Sequence, residues 1–192
     1  MRKVKKSLIF LWVISTILPP VLTLSDEAYS GSSTQVRFPS CRSFGVKIFQ
    51  ERKEAPNFSL TSLEGKLLCL NDLKGKPIVL VFWATWCETC MDELPAIEKF
   101  FSGKGEQMNA LLVTIDGERK KAAQKIIREK NVTLPVLLVL KEKVMDHYGV
   151  RGWVPQIFFI DKEGFLVGKI MGPRDWSSPQ AWSCIREIFD LP

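Results

Sequence analysis

Six consecutive apolar residues, Ile78–Trp83, run without alternation and lead through Ala84-Thr85-Trp86 into two cysteines, Cys87 and Cys90. An unbroken apolar run of this length reads as a strand covered on both faces, the kind found in parallel or mixed α/β sheets. The stretch that follows, Met91–Phe101, places Leu94, Ile97 and Phe101 at helical spacing. A buried strand feeding a helix through a short turn constrains the chain to a layered α/β architecture. The remaining pattern agrees with it. Phe58–Leu60 and Leu67–Leu70 flank Glu64-Gly65 and predict a hairpin, and Lys74-Gly75-Lys76-Pro77 is a turn. Ala110–Asp116 reads as a second buried strand. Arg119–Lys130 reads as an amphipathic helix with Ala122, Ala123, Ile126 and Ile127 on one side. Val136–Leu140 is open to strand or loop, and Lys143–Tyr148 fits a short helix. Gln156–Asp161 and Leu166–Ile170 flank Lys162-Glu163-Gly164 as a second hairpin. Pro179–Phe189 reads as a terminal helix that buries Trp182, Ile185 and Phe189. The aromatic residues through 153–165 read as strand core.

The cysteine pair sits where a helix begins. Unpaired backbone N–H groups and the positive end of the helix dipole favour a thiolate there, lowering its pKa below the free value of about 8.5. The thiolate is the nucleophile that attacks a disulfide, and a two-residue spacer brings the second sulfur back to the first. Two other uses of Cys-x-x-Cys stand beside this one. Zinc usually takes four ligands, and Cys41, Cys69, Cys184 and His147 supply no second pair at metal spacing. A purely structural disulfide over so short a loop would constrain little of the unfolded chain. Redox use is the better reading. Cys69, in an apolar strand, reads as a small buried side chain, and Cys184 as structural. Cys41 falls in a segment expected to be exposed. A Cys41–Cys184 or a Cys41–Cys69 bridge is the alternative to free thiols. His147 reads as a solvated helix residue.

The N-terminus opens with Arg2, Lys3, Lys5 and Lys6, followed by an apolar stretch from Leu8 to Leu18 that Pro19-Pro20 interrupts. This is the layout of a secretory signal, and the apolar core falls short of the roughly 20 residues a span requires. Residues 1–30 are thus expected to be a signal peptide or, if uncut, an N-terminal membrane anchor. Either places the folded domain outside the cytoplasm, in the periplasm or on the outer face of the membrane, where disulfide chemistry is available. Residues 31–53, rich in Ser, Gly and charges, are expected to be linker, and 54–192 the domain. The formal charge of +6 is spread among acidic residues without a long basic run, which gives no ground for a nucleic-acid partner.

The run Val79-Leu80-Val81-Phe82-Trp83-Ala84-Thr85-Trp86-Cys87-Glu88-Thr89-Cys90 resembles the active-site segment of the thioredoxin superfamily. Ala55-Pro56-Asn57-Phe58-Ser59-Leu60, Gly65-Lys66 and Leu73-Lys74-Gly75-Lys76-Pro77 resemble its TlpA/ResA-like branch of exported, often membrane-anchored thiol-disulfide oxidoreductases. Tyr148-Gly149-Val150-Arg151-Gly152-Trp153-Val154-Pro155 and Phe158-Phe159-Ile160-Asp161-Lys162-Glu163-Gly164 resemble that branch's cis-proline segment and following hairpin. The likeness spans about residues 54–190.

The resemblance implies a thioredoxin-like α/β sandwich with a central mixed sheet and an N-terminal β-hairpin extension. It implies that Cys87 attacks, Cys90 resolves, Pro155 is the cis-proline facing them, and Val154 pairs with substrate backbone. Trp86 would shield Cys87, and Glu93 would influence thiol ionisation. An acid favoured by the helix dipole is the other account of Glu93. The implied activity is reduction of disulfides in exported proteins, with no cofactor. Apocytochrome c thiols are one substrate class, and a membrane thiol transporter of the DsbD/CcdA type is the electron donor. Three departures stand out: Thr89 replaces the proline common before the second cysteine, Val81 stands where thioredoxins bury an acid, and the loop before Pro155 carries an extra residue through Trp153. Two other readings share the fold. A peroxiredoxin expects Ser or Thr and Pro where Ala84 and Leu80 stand. A copper chaperone or inert scaffold would want soft ligands, for which Met91 is the one immediate neighbour.

Overall fold

The computed structural model describes residues 37–140 and 143–192. In chain order they form α1 (Pro39–Ser43), β1 (Lys47–Glu54), β2 (Ser59–Ser62), β3 (Leu67–Cys69), a 3-10 turn (Leu70–Leu73), β4 (Ile78–Trp83), α2 (Glu88–Phe101), β5 (Asn109–Thr114), α3 (Lys120–Glu129), β6 (Val136–Leu138), α4 (Val144–Tyr148), β7 (Gln156–Ile160), β8 (Phe165–Met171) and α5 (Pro179–Phe189). The eight strands make one mixed sheet in the order β1-β8-β7-β4-β5-β6-β2-β3. β4 pairs in parallel with β5 and antiparallel with β7, so it lies mid-sheet. All six of its residues are buried. Val79, Val81 and Trp83 enter a core shared with α1, α2, α3 and α5. Ile78, Leu80 and Phe82 enter the opposite core, which α4, β2 and the 3-10 turn help to close. Both faces being covered is why the strand shows no polar alternation.

Both expected hairpins are present, as β2–β3 and β7–β8. The segment 136–140, left open above, pairs with β5 and β2 as β6. α5 has the bounds read from sequence. Its buried residues are Ala181, Cys184, Ile185 and Ile188, with Trp182 and Phe189 half-buried. On α3 only Ala123 is buried, and Ala122 faces outward.

The expected linker needs correction over its described part. Residues 39–54 are not spacer: they form α1 and β1, and β1 pairs antiparallel with β8 at the sheet edge. Cys41, expected to be exposed, is fully buried and forms a disulfide with Cys184 of α5. Of the two bridges considered, this one forms. Glu187 reinforces the junction, accepting from the Ser40 and Cys41 amides and the Ser40 hydroxyl. Cys69 is a free thiol, half-exposed on edge strand β3 rather than buried. The Asn71 backbone N–H, then the Ser59 and Asn57 side chains, hold its pKa below the ordinary thiol value. The signal or anchor expected at 1–30 lies outside the described residues. Among the described residues no helix is long and apolar enough to cross a membrane.

Candidate active site

The site forms where β4 ends and α2 begins. The chain turns through Ala84–Cys87, with the Cys87 amide donating to the Ala84 carbonyl at 3.1 Å. An acid on the neighbouring strand's exit holds the turn. Asp116, just beyond β5, accepts from the Thr85 amide at 2.7 Å, the Thr85 hydroxyl at 3.0 Å and the Thr114 hydroxyl at 2.5 Å. Sequence reasoning did not single out Asp116. The available signal was an acid at the carboxyl end of a parallel strand, the edge at which open α/β sheets gather their sites.

Cys87 is the N-cap of α2 and is bonded to Cys90. The Cys90 amide donates to the Cys87 sulfur at 3.2 Å, and the Thr89 hydroxyl lies 3.5 Å from the same atom. In the reduced protein these donors, with the dipole of a 14-residue helix, favour a thiolate on Cys87. Both sulfur-bearing residues are buried, and Trp86 beside them is 55% exposed.

The opposite wall comes from the loop before β7. The Val154–Pro155 peptide is cis, and the Val154 carbonyl lies 3.5 Å from the Cys87 sulfur. While Cys87 is disulfide-bonded this is a contact; the reduced thiol would donate across it. Gly152 makes the preceding bend at φ 74°, in the left-handed region open to glycine. The Gln156 side chain, buried at the start of β7, donates from Nε2 to the Trp153 carbonyl at 2.7 Å and so straps the loop across the proline. Trp153, grouped above with strand core, is instead 76% exposed. It sits in the loop, before the pleated register of β7 begins.

Glu93 lies three residues past Cys90, on the core side of α2, and is 6% exposed. Its Oε1 accepts from the Arg174 amide at 2.9 Å and from Trp176 Nε1 at 2.7 Å, while Oε2 has no protein partner. Burial raises its pKa above the ordinary carboxylate value, and the two donors only partly offset that. Val81 supplies no acid beneath the site, and Glu93 is the buried carboxyl among the described residues. No described contact joins Glu93 to either sulfur. The structure therefore gathers Trp86, Cys87, Cys90, Val154 and Pro155 at one point and sets Glu93 behind them on the same helix. Arg174 also ties the N-terminal segment to this region: its guanidinium donates to the Phe44 carbonyl at 3.0 Å and to the Gly45 carbonyl at 3.3 Å. His147 is exposed on α4 and makes no part of the site. No group of three or more His, Cys, Asp or Glu among the described residues is arranged to hold a metal.

The AhpC/TSA family model matches residues 52–169. The chain belongs to that family. Within it, the chain is 37% identical over 131 residues to the thiol-disulfide oxidoreductase ResA of Bacillus subtilis strain 168, covering 67% of this chain and 71% of the relative. It is 38% identical over 123 residues to the ResA of Bacillus anthracis, covering 64% and 70%. Among solved structures, it resembles the pneumococcal exposed lipoprotein thioredoxin Etrx1 from Streptococcus pneumoniae TIGR4, with a TM-score of 0.56, 32% identity, and coverage of 67% of this chain and 98% of that one. The chain is a thiol-disulfide oxidoreductase on a thioredoxin-like fold, and it carries the Cys87–Cys90 disulfide at the start of α2.

Proposed function

We propose that this chain reduces disulfide bonds of exported proteins outside the cytoplasm. The observation that carries the reading is the reactive pair at the start of α2, facing the Val154 carbonyl across 3.5 Å. In the reduced enzyme the Cys87 thiolate attacks one sulfur of a substrate disulfide. A Cys87–substrate disulfide forms, and the other substrate sulfur leaves as a thiolate and takes a proton. The Cys90 thiolate then attacks the Cys87 sulfur, expelling the second substrate thiolate. Two electrons have passed to the substrate, and the Cys87–Cys90 bond is left in the enzyme. Val154 and Pro155 line the groove for the substrate backbone, Trp86 covers Cys87, and Glu93 biases the ionisation of the pair from behind. Export is supported by the basic and apolar residues at 1–30, by the buried Cys41–Cys184 bond, and by the exposed lipoprotein to which the chain is similar. In that setting a reductase needs an electron source across the membrane, for which a thiol transporter of the DsbD/CcdA type fits. Apocytochrome c thiols are the substrate class the family resemblance favours. A peroxidase reading is weaker, because Ala84, buried three residues before Cys87, offers no hydroxyl to a peroxide.

The test combines a potential and a trap. A Cys87–Cys90 couple near thioredoxin's, about −270 mV, is expected, and one near DsbA's, about −120 mV, would make the chain an oxidase instead. The variant Cys90→Ser should hold substrates as mixed disulfides on Cys87. A Cys87→Ser protein that keeps full activity would overturn the assignment.

A further inference from the structure

The edge strand β1 does not follow its neighbour evenly. The pairing jumps from Ile48–Gly168 to Lys53–Leu166, so residues 49–52 oppose Val167 alone. A bulge of this kind bends an edge strand and disrupts its ladder. Beside it a cavity of about 370 Å³ opens between β1, β8 and α4. Its floor belongs to the core on the α4 side of the sheet, whereas α2 packs on the other side. Phe158 and Leu166 are buried there, and half-buried Phe49 packs against the same core. Tyr148 of α4 forms a wall. Its hydroxyl donates to the Pro56 carbonyl at 2.9 Å and its ring meets Phe158 edge-on at 5.1 Å. The wall is thus fixed before anything enters, which lowers the ordering cost of binding.

The rim is basic. Lys169 of β8 and Lys53 of β1 line the cavity, together with Glu51 and His147. Lys169 also stands directly across from Lys47 in the β1–β8 ladder, a like-charge pairing that costs stability. Among the described residues none of these three lysines forms an ion pair. Lysines on an edge strand guard it against pairing with another chain, which accounts for Lys47 and Lys53. It does not account for Lys169, half-buried on an interior strand with its ammonium 5.9 Å from the Phe158 ring centre. A ring face satisfies an ammonium less well than a carboxylate does.

We propose that this cavity binds a small amphipathic monoanion, a carboxylate carried on an aromatic or short aliphatic body. The body lies on Phe49, Phe158 and Leu166, and the carboxylate meets Lys169 and Lys53. Two lysines against Glu51 leave one positive charge, which suits a monoanion better than a dianionic phosphate. The volume falls in the range of small-ligand pockets, and an apolar floor with a few polar groups at the rim is their usual lining. The occupant is therefore a free molecule rather than a membrane surface. The inference is independent of the exchange reading above, because the cavity and α2 lie on opposite faces of the sheet.

The test titrates naphthoate, and separately its neutral amide, into full-length protein with Cys87–Cys90 oxidised. Calorimetry gives affinity and backbone amide chemical shifts locate the site. Naphthoate should bind at a single site about tenfold more tightly than the amide, the worth of one charge-assisted contact. Shifts should concentrate in β1, β8 and α4. Lys169→Met should bring naphthoate down to the affinity of the amide and leave the amide unchanged, while Lys169→Arg should keep the preference. Equal affinities in wild type, shifts centred on residues 86–90, or a Lys169→Met protein that keeps the preference would each overturn the proposal. So would the absence of saturable binding at millimolar naphthoate. Phosphatidylglycerol vesicles distinguish a lipid source: wild-type binding to them that Lys169→Met loses and naphthoate does not compete would assign the lysines to a membrane surface instead, and the proposal would fall.

Discussion

Replacing both Cys41 and Cys184 with alanine should destabilise the protein far more than replacing the reactive pair. The first bond joins residues 143 apart, the second residues 3 apart. On the chain-entropy relation, a link across the longer separation stabilises the fold by about 5 kcal/mol, the top of the range seen for disulfides. The same relation assigns the Cys87–Cys90 bond about 3 kcal/mol less. Alanine is the right replacement because both sulfurs are buried, and a serine hydroxyl there would add an unpaired polar group. For a chain of this size 1 kcal/mol moves the melting temperature by about 2–4 °C, so the double variant should melt at least about 10 °C lower. Thermal unfolding followed by circular dichroism, with Cys87–Cys90 kept oxidised, reads this directly. A Cys87→Ala/Cys90→Ala protein gives the comparison. A drop under about 4 °C, or one no larger than in that comparison protein, would refute the argument that long-range closure stabilises the domain.

Two further outcomes follow from the site. Burial raises the Glu93 pKa, so the folded chain holds a proton that the unfolded chain has released; stability from this group is full below the unfolded value and falls as pH rises through the folded one. Glu93→Gln removes that fall. Its advantage in urea midpoint over wild type should be small near pH ~4 and grow at higher pH, and a difference that is flat or shrinks with pH would count against the sign. Thr89→Val removes a hydroxyl 3.5 Å from the Cys87 sulfur. Losing one hydrogen bond to a thiolate should raise the Cys87 pKa by up to about one unit and make the couple more reducing by up to about 30 mV. Thiol alkylation against pH and a glutathione redox titration check both, and a lowered pKa would show that the hydroxyl acts only as an acceptor.

The centre of the fold was legible because its signals are local. Ile78–Trp83 is apolar because β4 is covered on both faces, and the bounds of α5 follow from its proline and its apolar spacing. The sheet edge was not legible. β1, Lys47–Glu54, pairs on one side only and exposes most of its side chains, so nothing forces apolar alternation into its sequence. Cys41 looked like a linker residue because its partner lies 143 residues away. The site divides in the same way. Cys87 and Cys90 declare themselves by spacing, while the placing of Val154 and Pro155 came from the family likeness. The surroundings of Glu93 could not be read at all, since Arg174 and Trp176 are 81 and 83 residues distant. Trp153 was misread because an indole beside a strand looks like core until the loop's path is known.

The Cys41–Cys184 bond also bears on how the enzyme comes into being. Its second half arrives 143 residues after the first, so it cannot close early in synthesis. It forms only once α5 has docked on α1, and maturation therefore draws on an oxidant that accepts two electrons. An oxidoreductase built this way carries in its own scaffold the kind of bond it exchanges in others. With Cys41 and Cys184 at 0% exposure, neighbouring copies cannot reach that bond without unfolding the domain, so burial separates the disulfide to be kept from those to be exchanged.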